Sequence, residues 1–171
     1  MSEQAIKRVL DSLKYRGPDG DDFQRFDDGW IGNTRLSIID PSGNHQPISN
    51  ENAAIHFVCN GEIYKHSVLR AELTGRGHRF STYADVEVFL HLYEEVGEGF
   101  LDRLQEMFAF AIWDTRRQRS FAARDPVGQC PFYFSFIEIR FYSRNERVGA
   151  GIGHARETAF GVSRPISRSA H

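Results

Sequence analysis

The sequence predicts an α+β fold, in which strands occur in clusters and a few helices lie between the clusters. Apolar residues fall at helical spacing in three segments, whereas other segments are short apolar runs bounded by Gly, Asp or Pro, as is typical of strands. Strands follow one another without an intervening helix, so the order differs from the alternation of a parallel sheet. The 14 phenylalanines among 171 residues suit a core of large side chains between stacked sheets.

The chain begins with a predicted amphipathic helix from Ser2 to Tyr15. Ser2 can cap the first turn, and apolar residues line one face: Ile6, Val9, Leu10 and Leu13. The helix is expected to stop at Arg16-Gly17-Pro18-Asp19-Gly20, because Gly17 breaks it and is held extended by the following proline. This loop is therefore predicted to be rigid and polar.

Two strands, Phe23 to Phe26 and Trp30 to Ile39, are predicted to pair as a hairpin. They are joined by Asp27-Asp28-Gly29, and Asp and Gly tolerate the positive φ angles of such turns. The second strand carries Arg35 between apolar neighbours. The segment from Pro41 to Asn52 is rich in Gly, Pro, Asn and Ser, and its short length indicates an ordered connection.

An apolar strand from Ile55 to Cys59 leads into Asn60-Gly61-Glu62, which is predicted to be a corner. The side-chain amide of Asn60 and the backbone N–H of Gly61 are two donors that can converge on one oxygen, as in an oxyanion hole. The alternative is that Asn-Gly is simply a turn dipeptide. These residues alone leave both interpretations open.

Two helices are predicted next. The first runs from about Tyr64 to Leu73 and ends at Gly75 and Gly77, with one apolar face formed by Val68, Leu69 and Leu73. The second begins at Asp85, whose carboxylate favours the positive end of the helix dipole, and it ends at Gly97. Its predicted apolar stripe consists of Val88, Phe89, Leu92, Tyr93 and Val96.

The later part of the chain is predicted to be strand-rich and then poorly ordered. Strands are expected at Met107–Trp113, Arg119–Arg124, Cys130–Phe136 and Ile139–Tyr142, the first of them buried on both faces. Residues 1–142 are predicted to form one domain. Residues 143–171 are Arg-rich with little apolar periodicity, which indicates a poorly ordered tail.

The overall composition excludes several classes of partner. A net charge of -2, from 21 basic and 23 acidic residues, offers no general attraction for nucleic acid or anionic membrane. No apolar run approaches the roughly 18 residues of a membrane helix. The two cysteines make neither a disulfide framework nor a CxxC metal site. A soluble protein of the reducing cytoplasm is expected.

Seven blocks in one unbroken order closely resemble the glutaminase domain of glutamine-hydrolysing asparagine synthetases, a class II glutamine amidotransferase. They are RGPDG at 16–20, GNTRLSIID at 32–40, HQP at 45–47, NGEIY at 60–64, ADVEVFLHLYEE at 84–95, MFAFAIWD at 107–114 and ARDPVGQCPFY at 123–133. The resemblance implies an N-terminal-nucleophile hydrolase fold, an αββα four-layer sandwich of two antiparallel sheets, here missing its first strand.

The resemblance also implies roles for individual residues. Arg35 corresponds to the arginine whose guanidinium forks onto the α-carboxylate of glutamine, although a salt bridge within the sheet is the alternative. Asn60 and Gly61 correspond to the oxyanion hole. Glu62 and Asp85 correspond to the acidic groups that receive the α-ammonium, and the alternative for Asp85 is a plain helix cap.

Other polar residues are predicted to be structural. Asp19 and Asp125 are expected to bond backbone or to pair with Arg16 and Arg124. His45 and His78 invite a metal or base assignment, but no third ligand is spaced near either one, so no metal is expected. Cys59 is predicted to behave as a small hydrophobe rather than as a nucleophile.

The resemblance assigns the nucleophile to a cysteine at the mature N-terminus, and residues 1–16 contain no cysteine. Ser2 is a poor substitute because it is placed at a helix cap. The synthetase domain, which would carry ATP and Mg²⁺, has no counterpart here, and no cofactor is expected in the glutaminase domain itself. We therefore expect a truncated chain that is catalytically inactive alone.

Three hypotheses follow from the sequence. The first is a glutaminase domain that hydrolyses glutamine to supply ammonia for ATP-dependent asparagine synthesis from aspartate. The second is a non-catalytic module that still binds glutamine, and the third is a degenerate fragment. The expected partners are glutamine and, as one candidate, a synthetase domain encoded separately.

Overall fold

The computed structural model describes residues 2–15, 17–27, 29–35, 45–104, 106–130, 132–137, 140–144 and 157–162. Within these residues the helices are α1 (Glu3–Asp11), α2 (His66–Gly75) and α3 (Glu87–Val96), followed by a 3-10 helix (Gly97–Arg103). The strands are β1 (Gly20–Phe26), β2 (Gly29–Arg35), β3 (Ile48–Ser49), β4 (Ile55–Glu62), β5 (Met107–Asp114), β6 (Arg119–Arg124), β7 (Tyr133–Ile137), β8 (Arg140–Arg144) and β9 (Glu157–Val162).

The strands form two sheets whose neighbouring strands are all antiparallel. One sheet has the order β1-β2-β9-β8-β7, and the other has the order β3-β4-β5-β6. The predicted α+β class with two antiparallel sheets is therefore confirmed. β9 lies within the segment that the sequence predicts as a tail, between β2 and β8.

The two sheets pack against each other through apolar side chains. Ile31 of β2 contacts a buried cluster formed by Val58 of β4 and Ala111 and Trp113 of β5. The ring of Phe26 stacks on Trp113 with centroids 5.0 Å apart. Burial of these large rings removes apolar surface of both sheets from water, which holds the sheets together.

Helices lie on the outer faces of both sheets. On the first sheet, α1 packs Ile6 and Leu10 against Trp30, whose neighbour Ile31 faces the other sheet. On the second sheet, the face opposite Val58 packs against α3 in a larger cluster that includes Phe57, Phe89 and Phe110. Among the described residues, the core is therefore divided into three apolar clusters.

The N-terminal elements agree with the prediction in type but not in all bounds, because α1 ends at Asp11 rather than Tyr15 and β1 begins at Gly20 rather than Phe23. Ser2 caps α1, with its hydroxyl accepting from the Ala5 N–H at 3.3 Å. The hairpin pairs Phe26 with Gly29. β2 is described as far as Arg35, and the predicted continuation to Ile39 lies outside the described residues.

The prediction of a corner at Asn60-Gly61-Glu62 is wrong, because β4 continues through these three residues. They pair with Ala109, Phe108 and Met107 of β5 respectively. The local sequence resembles a turn dipeptide, but the partner strand holds it extended. The turn interpretation of Asn-Gly is thereby excluded.

The two later helices differ in detail from their predicted bounds and faces. α2 begins two residues later than predicted, and Val68 is exposed rather than part of the apolar face. α3 begins at Glu87 with Val86 as its N-cap, so Asp85 precedes the helix. α3 is buried on most sides, including Glu87 and His91, whereas Val96 of the predicted stripe is 48% exposed.

The connections contain regular structure that the sequence did not predict. The segment before β4 includes the short strand β3, and the 3-10 helix follows Gly97, whose positive φ of 62° ends α3 as predicted. β7 begins at Tyr133 rather than Cys130, and β8 extends to Arg144. Among the described residues, every helix is too short or too polar to cross a membrane.

Candidate active site

The end of β4 presents two polar side chains to the gap between the sheets. Successive residues of a strand point to opposite faces, and Val58 faces the first sheet whereas Cys59 faces α3. Asn60 and Glu62 therefore share the face of Val58, and both are half-buried. This arrangement places an amide and a carboxylate side by side at the same end of the strand.

Gly61 is required by the neighbouring strand rather than by a turn. A Cβ atom at this position would lie 2.4 Å from the carbonyl oxygen of Met107 and 2.9 Å from the Cα of Phe108. Real Cβ atoms do not approach backbone so closely, so only glycine allows β5 to pair at this distance. The sequence pattern shows the glycine but not this reason for it.

The hydrogen-bonding direction of Gly61 follows from the pairing of β5. Asp125 N–H donates to the Phe108 carbonyl at 2.8 Å, so the backbone groups of Phe108 point toward the β6 side. The pair of Gly61 and Phe108 is consequently one that exchanges no hydrogen bonds. The N–H groups of Cys59, Gly61 and Ile63 point away from β5 by the same alternation.

Two side chains occupy the positions on either side of the Gly61 N–H. Gln46 accepts from the Cys59 N–H at 2.6 Å and donates to the Cys59 carbonyl at 3.1 Å. Asp85 accepts from the Ile63 N–H at 2.8 Å. The Gly61 N–H thus lies between a buried amide and a carboxylate, on the edge of β4 that faces away from β5.

The loop that carries Asp85 is held by the fully buried carboxylate of Glu87. Its two oxygens accept from the backbone N–H and hydroxyl groups of Ser81 and Thr82 at 2.7 to 2.9 Å. Burial opposes ionisation of Glu87, but the neighbouring His91 ring and these donors outweigh it and lower its pKa to about 2. Glu87 is therefore ionised at neutral pH and fixes the turn before α3.

Arg35 ends β2 on the other sheet, and the loop after α1 fixes its backbone. Asp19 N–H donates to the Arg35 carbonyl at 3.0 Å, and Pro18 forms a parallel bridge with Arg35. A Cβ at Gly17 would lie 2.6 Å from the Arg35 backbone nitrogen and 2.6 Å from the carbonyl carbon of Thr34. The polar loop predicted as rigid therefore packs directly on the residue that the resemblance assigns to carboxylate binding.

The structure brings some predicted site residues together directly. Asn60, Gly61 and Glu62 are consecutive on β4, and Asp85 is bonded to the residue that follows them. Asp85 lies one residue before Val86, the N-cap of α3, and its carboxylate accepts from the Ile63 N–H. Arg35 lies on the facing sheet.

Residues predicted to be structural behave as expected where the structure describes them. Asp125 is buried and accepts from the N–H groups of Gln129 and Cys130 at 2.9 and 3.0 Å. Cys59 is a buried thiol in the apolar cluster against α3, as a small hydrophobe would be, and Cys130 is buried as well. Arg16, predicted as a partner of Asp19, lies outside the described residues.

Sequence reasoning gave no role to Gln46 or Glu87, and it did not reveal the surroundings of His78. Gln46 and Glu87 lie within two blocks of the family resemblance, HQP and ADVEVFLHLYEE, but the sequence alone does not show what they bond. No third metal ligand is spaced near His78 along the chain, whereas the structure places it beside Glu51, His91 and Glu94. Those residues come from separate segments, so spacing along the chain could not reveal them.

Comparisons with known proteins agree with the resemblance seen in the sequence. The model of the family "Glutamine amidotransferase domain" matches residues 1–155. "Asparagine synthetase [glutamine-hydrolyzing] 2" of Oryza sativa subsp. japonica is 44% identical over 124 residues, which are 72% of this chain and 21% of that protein. The protein of the same description from Arabidopsis thaliana gives the same values.

A further relative, "Asparagine synthetase [glutamine-hydrolyzing]" of Asparagus officinalis, is 45% identical over 132 residues, or 75% of this chain and 22% of the relative. The chain therefore spans about a fifth of the length of the curated relatives that it matches. The residues matched by the family model include β2 and β4, the two strands that carry the predicted site residues.

Proposed function

The chain belongs to the glutamine amidotransferase domain family, of the asparagine synthetase type, and from that premise we propose that it binds L-glutamine between its two sheets. We propose further that, together with a synthetase domain, the side-chain amide of glutamine would be hydrolysed and the ammonia would serve ATP-dependent asparagine synthesis from aspartate.

The observation that carries this proposal is the direction of the Gly61 N–H. It points away from β5, between the Gln46–Cys59 and Asp85–Ile63 hydrogen bonds. In the proposed site this N–H and the side-chain amide of Asn60 donate to the carbonyl oxygen of the glutamine side chain. Their two hydrogen bonds strengthen as that oxygen acquires charge, and losing one such donor typically costs roughly 3 to 4 kcal/mol in the barrier.

Charged residues orient the other end of the substrate in this proposal. Arg35 offers a planar fork of donors for the α-carboxylate, a geometry that Lys cannot supply. Glu62 and Asp85 receive the α-ammonium. Asp85 suits this task because its Oδ2 is already held by the Ile63 N–H, so the carboxylate is positioned before the substrate arrives.

The proposed fold is the αββα four-layer sandwich of the N-terminal-nucleophile hydrolases. Its support is the packing of α1 on Trp30, of Ile31 against the second sheet, and of α3 on the opposite face of that sheet.

A non-catalytic glutamine-binding role is the second candidate, and burial of both thiols favours it for this chain alone. Cys59 is 0% exposed within the cluster against α3, and Cys130 is 5% exposed. A nucleophilic thiolate needs access to its substrate and a setting that lowers its pKa. We therefore propose that neither cysteine attacks glutamine, and that this chain by itself binds glutamine without releasing ammonia.

We propose that a partner carries out the steps that use the ammonia. The chain corresponds to about a fifth of its relatives, so a synthetase domain that uses ATP and Mg²⁺ is proposed as the consumer of ammonia. Nucleic acid and membrane are not proposed as partners, because the net charge of -2 offers neither a general attraction.

Isothermal calorimetry with L-glutamine tests the proposed site. The wild-type chain should show saturable heat, Arg35→Ala should show none, and Arg35→Lys should bind more weakly than wild type, because it keeps the charge but loses the fork. A folded wild-type chain without saturable heat, or equal affinity in Arg35→Ala, would refute glutamine binding.

Ammonia release separates the two candidate functions. The same preparations are incubated with glutamine, and ammonia is measured with a coupled enzyme assay. Binding without ammonia supports the non-catalytic role of this chain alone. Ammonia release that survives Cys59→Ala and Cys130→Ala but is lost in Asn60→Ala would contradict it and establish hydrolysis at the β4 site.

A further inference from the structure

Four metal-ligating side chains converge beside α3, although they come from three segments of the chain. Glu51 lies in the turn between β3 and β4, His78 follows α2, and His91 and Glu94 lie one turn apart on α3. One ligand atom from each residue lies within 4.8 Å of the others. None of these four residues has a role in the proposed glutamine site.

The three more buried residues already have the spacing of a coordination sphere. His91 Nδ1 lies 3.2 Å from His78 Nδ1, and Glu94 Oε2 lies 3.6 Å from His78 Nδ1 and 3.9 Å from His91 Nδ1. The circle through these three atoms has a radius of about 2.1 Å, which matches the 2.0–2.2 Å bonds of zinc to imidazole and carboxylate. A single ion can therefore touch all three atoms, and a closer approach of these atoms by about a few tenths of an ångström gives the tetrahedral arrangement of zinc.

The orientation of the two rings favours a cation between them. His78 Nε2 lies 3.0 Å from Glu95 Oε1, whereas His91 Nε2 is buried, lies 3.7 Å from Glu87 Oε1 and has no hydrogen-bond partner among the described residues. The hydrogen bond to Glu95 favours a proton on Nε2 of His78, which directs the lone pair of its Nδ1 at His91 Nδ1. Since the two Nδ1 atoms are only 3.2 Å apart, a proton or a metal ion must lie between them.

Glu94 supplies a second indication that something binds in this cluster. Its Oε2 is buried and, within the described part of the chain, has no hydrogen-bond partner. Its other oxygen accepts from Asn50 Nδ2 at 2.8 Å, which fixes the direction of Oε2 toward the two rings. A buried carboxylate oxygen without a hydrogen-bond partner is costly, so a ligand is expected there.

The surroundings resemble the outer support of known metal sites. The pair of His78 with Glu95 is the carboxylate–histidine arrangement that fixes a ligand ring and its tautomer. Glu95 is neutralised by Arg76 at 2.9 Å. Glu51 Oε1 accepts from the Arg79 N–H at 2.6 Å, which anchors this exposed carboxylate beside the cluster.

We propose that Glu51, His78, His91 and Glu94 bind one divalent transition-metal ion, and that Zn²⁺ is the ion they suit best. Two imidazoles and two carboxylates complete a closed four-ligand sphere, which is the arrangement of structural rather than catalytic zinc. Nitrogen ligands disfavour Mg²⁺ and Ca²⁺. The ion fastens the β3–β4 turn and the segment after α2 to α3, and it thereby stabilises the helix whose first residue supports the loop of Asp85.

Metal titration of the full chain tests this site. The untagged chain is treated with a chelator, dialysed, and titrated with Zn²⁺ against a chromophoric competitor. One equivalent should bind, and Co²⁺ in its place should give the visible absorption of a tetrahedral complex. We expect Zn²⁺ to raise the thermal midpoint of the wild-type chain, while Mg²⁺ does not.

Matched variants assign the binding to these residues. Glu94→Gln and His78→Gln should lose about 100-fold or more in Zn²⁺ affinity, and Glu95→Gln, which alters only the outer support of His78, should lose about 10- to 100-fold. His45→Gln should bind as wild type, because His45 is exposed and outside the cluster. Circular dichroism of each metal-free variant confirms that it is folded.

Two results would overturn the proposal. One is a folded wild-type chain that takes up neither Zn²⁺ nor Co²⁺ stoichiometrically. The other is stoichiometric binding with unchanged affinity in both His78→Gln and Glu94→Gln.

Discussion

Asp85 Oδ2 accepts the backbone N–H of Ile63 at 2.8 Å, so the residue just before α3 is tied to the residue just after β4. At the other end of α3, Glu94 is bonded to Asn50, which in turn accepts the Ile55 N–H at the start of β4. α3 therefore lies along β4 in the antiparallel direction and is fastened at both ends. The proposed glutamine site lies at the Asp85–Ile63 hydrogen bond, and the proposed metal site lies at the Glu94–Asn50 hydrogen bond.

The first prediction separates the structural role of Asp85 from its charge. Asp85→Ala leaves the half-buried Ile63 N–H without its acceptor, and we expect it to lower the free energy of unfolding by about 1 to 3 kcal/mol. Asp85→Asn retains an accepting oxygen and should be nearly as stable as wild type. Urea unfolding measures both variants.

Calorimetry with glutamine then tests whether the negative charge of Asp85 contributes to glutamine binding. Both Asp85 variants should bind glutamine more weakly than wild type, since neither offers a carboxylate to the α-ammonium. Wild-type affinity in Asp85→Asn would exclude an ionic role for this residue.

The second prediction concerns the close approach of β5 to Gly61. Gly61→Ala places a methyl group 2.4 Å from the Met107 carbonyl oxygen, and the two strands must separate to admit it. We expect a loss of at least about 1 to 3 kcal/mol in the free energy of unfolding, measured by urea denaturation. Gly75→Ala at the end of α2 is the matched control.

Gly75 has open space around it, so its replacement by alanine should be neutral or slightly stabilising. Equal stability of the two variants would show that β4 and β5 do not constrain Gly61 as described.

The third prediction concerns the loop that supports Arg35. Gly17→Ala must displace the backbone at Thr34 and Arg35, because the new Cβ would lie 2.6 Å from both. Glutamine affinity measured by calorimetry should fall, by about 10-fold or more if the fork of Arg35 shifts by the ångström that such a contact demands. Gly20→Ala, where the added methyl meets open space, should bind glutamine like wild type.

The fourth prediction concerns acid stability and His56. Burial lowers the pKa of His56 below its usual 6.5, and its Nδ1 lies 2.8 Å from the Ser49 hydroxyl. Below about pH 6.5, His56 binds a proton in the unfolded chain but not yet in the folded chain. The free energy of unfolding is therefore fully retained above that pH, and it decreases as the pH falls from about 6.5 toward the pKa of His56 in the folded chain.

Urea midpoints at about pH 8 and about pH 5 measure this loss. His56→Gln should lose less stability over this interval than wild type, because glutamine does not titrate. His45→Gln, which replaces an exposed histidine, should lose as much stability over this interval as the wild-type chain does. An identical pH dependence in His56→Gln and wild type would show that another group is responsible.

Much of the secondary structure could be predicted from the sequence because it depends on local patterns. The Ser2 cap of α1, the hairpin of β1 and β2, the strand from Met107 and the stop at Gly97 are each encoded within a few residues. The family resemblance also rests on local blocks, so it too was available from the sequence. The Asn60, Gly61, Glu62 and Asp85 site is predicted from that resemblance.

Errors arose where a distant segment determines the outcome. Asn60-Gly61 resembles a turn locally, but eight residues of β4 pair continuously with β5, and this pairing outweighs the turn preference. Val68 and Val96 fall at helical spacing with the core residues, yet the packing of their helices leaves both exposed. Local periodicity predicts that a helix has an apolar face but not how wide the buried face is.

By itself, the sequence determined the α+β class, most element positions, and the family to which the chain belongs. Only the tertiary structure decided that β4 runs through Gly61, that Gln46 and Asp85 flank its N–H, and that His78 meets His91 and Glu94. The physical reason is that these contacts join residues far apart in the chain. Helix and turn signals act over a few residues, whereas strand pairing and the packing of α3 on β4 set which distant side chains share a site.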